Sequence, residues 1–229
     1  MSKNMKPIIG IVPRVMTHSN NYKVQVNENY FTPFNKRDVN VFVLPLDNPN
    51  VLELLDLCDG FLLPGGDDID PTCYGQTNDE GLSKDIDPAL DKIDKIVLDY
   101  AVKTKKPVLG ICRGVQSIAA FLGGSLHQDI EHAGLKHESV DHKHMVKTMP
   151  NTRVTHLFPS EFLSNSYHHQ VVDKVPAGFV VTHTHLDVIE GLVHTELPIF
   201  GLQWHPERMD TPETETIFDW FIELVKNNK

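Results

Sequence analysis

The sequence predicts an α/β protein, a mostly parallel sheet with helices on both faces. Three observations carry that prediction. Short apolar runs alternate with helical stretches over the first 125 residues, and the helical stretches repeat their apolar residues every three or four positions. After Gly124 the chain turns polar and His-rich over residues 125–150, then gives strand-like runs with less helix between them, which suits antiparallel or mixed strands completing the sheet. Crossovers between parallel strands should be right-handed. No repeat, low-complexity tract or linker interrupts the chain, so residues 1–229 read as one domain.

Taken in order, residues 6–12 (KPIIGIV) form the first strand. NENYFTPFNKRDV reads as a helix that Pro33 weakens. VFVLP (41–45) is the second strand, and in NPNVLELLDLCDG Asn48 stands as N-cap and Pro49 at N1. Val51, Leu52, Leu54 and Leu55 are the apolar set of that helix, and Gly60 ends it. FLLP (61–64) is a strand running into the glycine-rich acidic loop GGDDIDP. Asp87-Pro88 opens a helix with Leu90, Ile93, Val97 and Tyr100 on one face. KPVLGI is the fourth strand, and helix 113–122 stops at Gly123-Gly124. TRVTHLF, FVVTHT, DVIEGLVH and IFGLQW are the later strands. Thr211-Pro212 caps a last helix whose core face is Ile217, Phe218, Phe221, Ile222 and Val225.

Composition narrows the function. The 229-residue chain carries a net charge of −10 and no basic run, which argues against nucleic acid or an anionic membrane as partner. No apolar stretch approaches the roughly 20 residues that span a bilayer. The first residues, MSKNMKPIIGIV, lack a signal-peptide core, so a cytoplasmic protein is expected. The three cysteines, Cys58, Cys73 and Cys112, are odd in number and widely spaced without a CxxC, which disfavours a disulfide framework or zinc knuckle.

Cys112 sits where strand passes into helix, between Gly110 and Gly114, the spacing of a nucleophile elbow. Such a turn strains the central residue, crowds positions −2 and +2, and lifts the side chain toward a helix N-terminus that favours thiolate. Arg113 is placed to add to that field, and its amide to serve as an oxyanion donor. A buried structural cysteine at the end of a core strand is the other reading. For a base, QWHPE offers His205 and Glu207; Pro206 biases His205 toward an extended conformation, in which residues i and i+2 point the same way. The carboxylate would then orient the imidazole and stabilise its cation, unless the pair is an incidental loop feature. LLPGGDD places Gly65 and Gly66 at the C-terminal end of a strand, where a main-chain amide can approach a ligand or simply make a tight turn.

LPGGDDIDP, GICRGVQ, GGSLHQD, NSYHHQ and GLQWHPE occur in this order, and together they resemble the class I glutamine amidotransferase-like hydrolases, specifically the γ-glutamyl-γ-aminobutyrate hydrolase (peptidase C26) family. The resemblance runs from about residue 6 to residue 225. It implies a three-layer, flavodoxin-like α/β/α sandwich and a Cys112, His205, Glu207 triad. It also implies oxyanion amides from the Gly65-Gly66 turn and Arg113, Gln116 beside the substrate, and a γ-glutamyl pocket lined by Asn165, Ser166, Tyr167, His168 and His169. Two places depart from the family pattern: Val188 stands where Gly is common, and Leu90 where an Arg usually precedes Asp91.

His132, His137, His142 and His144 cluster with Glu131, Glu138 and Asp141, but their spacings fit no familiar zinc pattern, so a polar loop at the active-site rim is expected and no metal. His183 and His185 alternate on a strand and should share a solvent face. His127 is placed to hold the loop near Cys112.

The expected function is cysteine-dependent hydrolysis of a small γ-glutamyl amide through a thioester, with no cofactor. A glutaminase subunit delivering ammonia to a separate synthetase is the first alternative. A non-catalytic thiol sensor on the same fold is the second, disfavoured by the intact HPE. The released amine and the oligomeric state stay open, a homodimer included.

Overall fold

The structure is a computed structural model that describes residues 5–18, 21–137, 139 and 141–228. Its strands and helices, in chain order, are β1 (Ile8–Ile11), β2 (Arg14–His18), β3 (Asn21–Gln25), α1 (Thr32–Asn35), β4 (Asn40–Val43), α2 (Val51–Leu57), β5 (Gly60–Leu63), α3 (Pro88–Thr104), β6 (Val108–Ile111) and α4 (Arg113–Phe121). There follow β7 (Leu126–His127), β8 (Lys143–Thr148), β9 (Glu161–Asn165), β10 (Val171–Val172), β11 (Phe179–His185), β12 (Val188–His194), β13 (Ile199–Leu202) and α5 (Pro212–Asn227).

Among the described residues the main sheet has nine strands in the order β4-β1-β5-β6-β13-β12-β11-β8-β9. The first five run parallel, and from β13 onward neighbours are antiparallel. The change of texture after Gly124 is thus the change from parallel to antiparallel pairing.

Side chains alternate across the central strands, as the pleat demands. Phe61, Leu63, Val108 and Ile199 face the core shared with Val51, Leu55, Ile93, Val97, Val115 and Ile118 of α2, α3 and α4. Leu62, Leu109, Ile111, Phe200 and Leu202 face the other way, onto Phe34 of α1 and Ile217, Phe218, Phe221, Ile222 and Val225 of α5. Helices therefore cover both faces, which makes three layers. Asp87 caps α3, its Oδ1 accepting from the Ala89 amide at 2.8 Å.

Several sequence expectations are corrected. The N-cap of α2 is Asn50; the Asn48 side chain instead accepts from the Asn50 amide at 2.8 Å, and Pro49 lies outside the helix. The segment after Asn27 folds as a 3-10 turn followed by the one-turn α1, with Pro33 inside it. TRVTHLF is turn and 3-10 helix (Thr155–Leu157); its apolar residues pack into the core without pairing, Val154 being fully buried. A strand, β8, runs through the polar stretch instead, with His144, Val146 and Thr148 inward and Lys143, Met145 and Lys147 outward. The β2–β3 hairpin and β9 are further strands that the apolar pattern did not mark. His183 and His185 are buried: β11 lies between β12 and β8, and register shifts around His183 break the alternation. The two family departures both fill apolar sites, Leu90 in α3 and Val188 against Ile130 and Val171.

Two glycines are required where α4 leaves β6. A Cβ on Gly114 would collide with the Leu63 carbonyl oxygen, and one on Gly110 would stand 2.6 Å from the Gly114 backbone. Backbone, not a flexible side chain, is the obstacle. Gly114→Ala is expected to destabilise the fold by about 2–3 kcal/mol, read as a lowered urea midpoint with unchanged slope.

Candidate active site

The ends of β5, β6 and β13 bring the site together at the carboxyl edge of the parallel strands, where open α/β sheets bind ligands. Cys112 adopts φ 52°, ψ −106°, a left-handed region that L side chains rarely enter, and its amide donates to the Leu202 carbonyl at 2.7 Å. The strain is held by β6 on one side and α4 on the other. Gln203 Nε2 donates toward Cys112 Sγ at 3.7 Å.

His205 follows β13, its ring packed over the Gly65 backbone. Its Nδ1 lies 2.6 Å from Glu207 Oε1, and it shares the cavity wall with Cys112. With Nδ1–H on the carboxylate, Nε2 is the nitrogen left for the thiol. Asn165 clamps the residue from β9: its Nδ2 donates to the His205 carbonyl and its Oδ1 accepts from the His205 amide, both at 2.8 Å. Burial by itself would push the imidazole down, but a facing Cys112 thiolate and then Glu207 outweigh it and lift His205 to about 10. The sign of the linkage follows. His205 binds its proton more tightly folded, about 10, than unfolded, about 6.5, so its stabilisation is full below pH 6.5, declines through the window between, and is gone above pH 10. A His205→Gln variant should therefore have its largest Tm deficit at about pH 6.5 and below and lose that deficit as pH rises toward about 10; a deficit constant across the window would assign the effect to another group.

Around the Gly65-Gly66 turn stand residues that the sequence motifs do not mark. The Gly65 amide donates to the Tyr30 hydroxyl at 2.9 Å, and that hydroxyl also lies 3.4 Å from His205 Nδ1. The Gly65 N–H is therefore engaged, which leaves the Gly66 and Arg113 amides as the candidate oxyanion donors. Arg14 grips the turn from outside: Nε donates to the Gly65 carbonyl at 2.9 Å, and Nη2 makes a short hydrogen bond to the Pro64 carbonyl. Its Nη1 lies 3.3 Å from Asp94, which also makes a close ion pair with Arg113 and accepts from Ser117 Oγ at 2.6 Å. Arg113 has a second partner in Asp91 at 2.6 Å. Burial alone would raise the Asp94 carboxyl, but Arg14 and Arg113 outweigh it and hold it below its ordinary value. The Arg113 guanidinium is thus committed to α3 and does not supply a free field at Cys112, contrary to the sequence expectation.

A cavity of about 300 Å³ opens over Cys112 and His205, walled by Gly65, Gly66, Tyr30, Tyr167 and Arg208 among others. Arg208 lies over the Tyr167 ring at 5.2 Å. Of the expected substrate-side residues, Tyr167 alone stands on this wall. Gln116 is buried and donates to the Gln170 carbonyl and Gln203 Oε1. Asn165 positions His205, Ser166 Oγ lies 3.3 Å from His137 Nε2, and His168 is packed beside Glu190. His169 is held between Asp68 and Asp129 at 3.1 and 3.3 Å. His127 pairs with Asp173 at 3.2 Å and is not on the cavity wall that holds Cys112.

The model of the Peptidase C26 family matches residues 7–207. The chain belongs to the peptidase C26 family. It is 31% identical to the "Putative glutamine amidotransferase-like protein YvdE" of Lactococcus lactis subsp. lactis over 82% of this chain and 81% of that one. It is 30% identical to the γ-glutamyl-γ-aminobutyrate hydrolase PuuD of Escherichia coli over 80% of this chain and 78% of that one. Among solved structures, a glutamine amidotransferase from Thermotoga maritima superposes with TM-score 0.63 at 18% identity, covering 98% of this chain and 86% of that one, a likeness of fold. Membership of C26 makes this a glutamine amidotransferase-like hydrolase. No helix among the described residues is long and apolar enough to cross a membrane.

Proposed function

We propose that the protein hydrolyses the amide bond of small γ-glutamyl amines, releasing glutamate and an amine. The observation that carries the reading is the cysteine held at a strained turn with the His205–Glu207 pair beside it, Cys112 and His205 both opening on one cavity. The cavity volume, about 300 Å³, suits a small ligand, and Arg208 on its wall offers a cation to a substrate carboxylate.

In this mechanism Cys112 Sγ attacks the γ-carbonyl carbon, and the developing oxyanion accepts from the Gly66 and Arg113 amides. As the C–N bond breaks, His205 gives its proton to the departing amine, leaving a γ-glutamyl thioester. His205 then takes a proton from water, whose oxygen attacks the thioester; C–S cleavage returns the thiolate, and glutamic acid leaves. Glu207 keeps the ring in one tautomer and balances its charge.

The test is a panel of γ-glutamyl amides incubated with the purified protein. Free glutamate and a mass increment of one γ-glutamyl group on Cys112 are expected. Glutamate release from L-glutamine alone, and only when a second protein is added, would replace this reading by a glutaminase subunit serving a synthetase.

A further inference from the structure

The histidines that lie together in sequence part company in space. His132 turns outward to Glu80 at 3.3 Å, and His142 stacks on Tyr167 at 5.1 Å. Glu138 lies outside the described residues. His137 and His144 turn inward and meet His168, His185 and Glu190, which come from three other segments.

Glu190 is the unusual member. Its side chain is fully buried, and neither carboxylate oxygen has a hydrogen-bond partner. Oε1 lies 3.3 Å from His144 Nε2 and 3.7 Å from His168 Nε2, without the alignment of a hydrogen bond. No Lys or Arg pairs with it among the described residues, and a buried carboxylate without a cation is unfavourable.

The donor atoms are placed as ligands would be. One from each of His137, His168 and Glu190 lies within 4.8 Å of the other two. Tetrahedral coordination at roughly 2.0–2.1 Å would bring such atoms to about 3.3 Å apart. The half-exposed His137, on a loop, can close the difference. Each ring is also braced through its other face: His168 Nδ1 lies 3.3 Å from the Gln170 carbonyl, and His137 Nε2 3.3 Å from Ser166 Oγ.

We propose that His137, His168 and Glu190 bind a divalent transition ion of the zinc class, with His144 or water completing the coordination. The ion would neutralise Glu190 and tie three segments together: the one that carries His137, the 165–170 segment and β12. The 165–170 segment carries both Asn165, which clamps His205, and Tyr167 on the cavity wall. The site therefore braces the cavity rather than taking part in chemistry, and it stands whether or not the proposed substrate is correct.

The experiment uses the full chain, stripped with chelator and then titrated with Zn²⁺ and, separately, Mg²⁺. One Zn²⁺ per chain by elemental analysis is expected, with a Tm rise of about 5–10 °C at a hundredfold excess over Kd. Mg²⁺, which prefers oxygen ligands, should give no comparable rise. His137→Ala, at a half-exposed loop position, should fold and lose both stoichiometric zinc and the Tm rise, whereas His132→Ala should keep both. Glu190→Gln should behave as His137→Ala does. Substoichiometric zinc, an unchanged Tm, or a His137→Ala protein that binds zinc as wild type does would overturn the proposal, the last by assigning uptake to surface histidines.

Discussion

Cys112→Ala is expected to lower glutamate release from γ-glutamyl amides by about 10⁴-fold or more, the scale seen when a covalent nucleophile is removed. The protein should remain folded, because trimming Cys112 to Ala removes a single atom from the core it shares with Ile111 and Leu202. A second replacement separates chemistry from strain. Cys112 holds φ at 52°, which favours glycine. Cys112→Gly should be equally inactive yet more stable than Cys112→Ala by about 1 kcal/mol, since relieved strain of about 1–3 kcal/mol outweighs the greater freedom of an unfolded glycine. Denaturant midpoints of the two variants measure this. Equal or reversed stabilities would remove the argument that the turn is strained, and residual activity in either would remove Cys112 as the nucleophile.

The second large effect is on stability. Asp94 is fully buried between Arg14 and Arg113, and Asp94→Ala leaves two buried guanidiniums with one carboxylate, Asp91, between them. Removing one partner of a buried ionic group costs about 3–5 kcal/mol. A chain of this size should lose roughly 10 °C of Tm. Asp94→Asn, which preserves an acceptor for Ser117, should fall between the two. By contrast, breaking the exposed Lys95–Asp99 pair should change stability by less than about 0.5 kcal/mol. A Tm for Asp94→Ala within about 2 °C of wild type would mean that the arginines find other partners. The same variant should reduce activity beyond its loss of stability, because Arg14 holds the two carbonyls that aim the Gly65-Gly66 turn.

What could be read from the sequence was local. Gly110, Cys112 and Gly114 are neighbours whose spacing is itself the steric requirement, and His205 and Glu207 are two apart, although they meet through a 3-10 turn over Pro206–Arg208 rather than the extended chain that Pro206 suggests. The helices α3 and α5 declared themselves by period and cap. Arg14, Tyr30 and Asp94 could not be found in that way. Each is an ordinary residue until β2, the segment after β3 and α3 are folded around the end of β5, and nothing near them in sequence signals the contact. β8 escapes the hydropathy pattern because apolar Met145 points outward with Lys143 and Lys147 while polar His144 and Thr148 point inward beside Val146, so alternation of burial is not alternation of hydropathy. The histidines show the reverse error. A cluster by sequence was dispersed, and one assembled by topology took its place.

The order of the sheet also governs when the nucleophile acquires its base. β13, from residues 199–202, lies between β6 and β12, so the two strand ends bearing Cys112 and His205 become neighbours only after a late segment inserts between earlier ones. During synthesis residues 110–114 leave the ribosome well before residues 199–205, and until then the Cys112 amide lacks its Leu202 acceptor and β6 lacks its β13 neighbour. A chain arrested before Ile199 would carry the thiol without imidazole or carboxylate, on an open strand that invites self-association. The reactive assembly is in this sense a checkpoint on completed folding: it exists only in molecules whose carboxyl-terminal strand has found its slot.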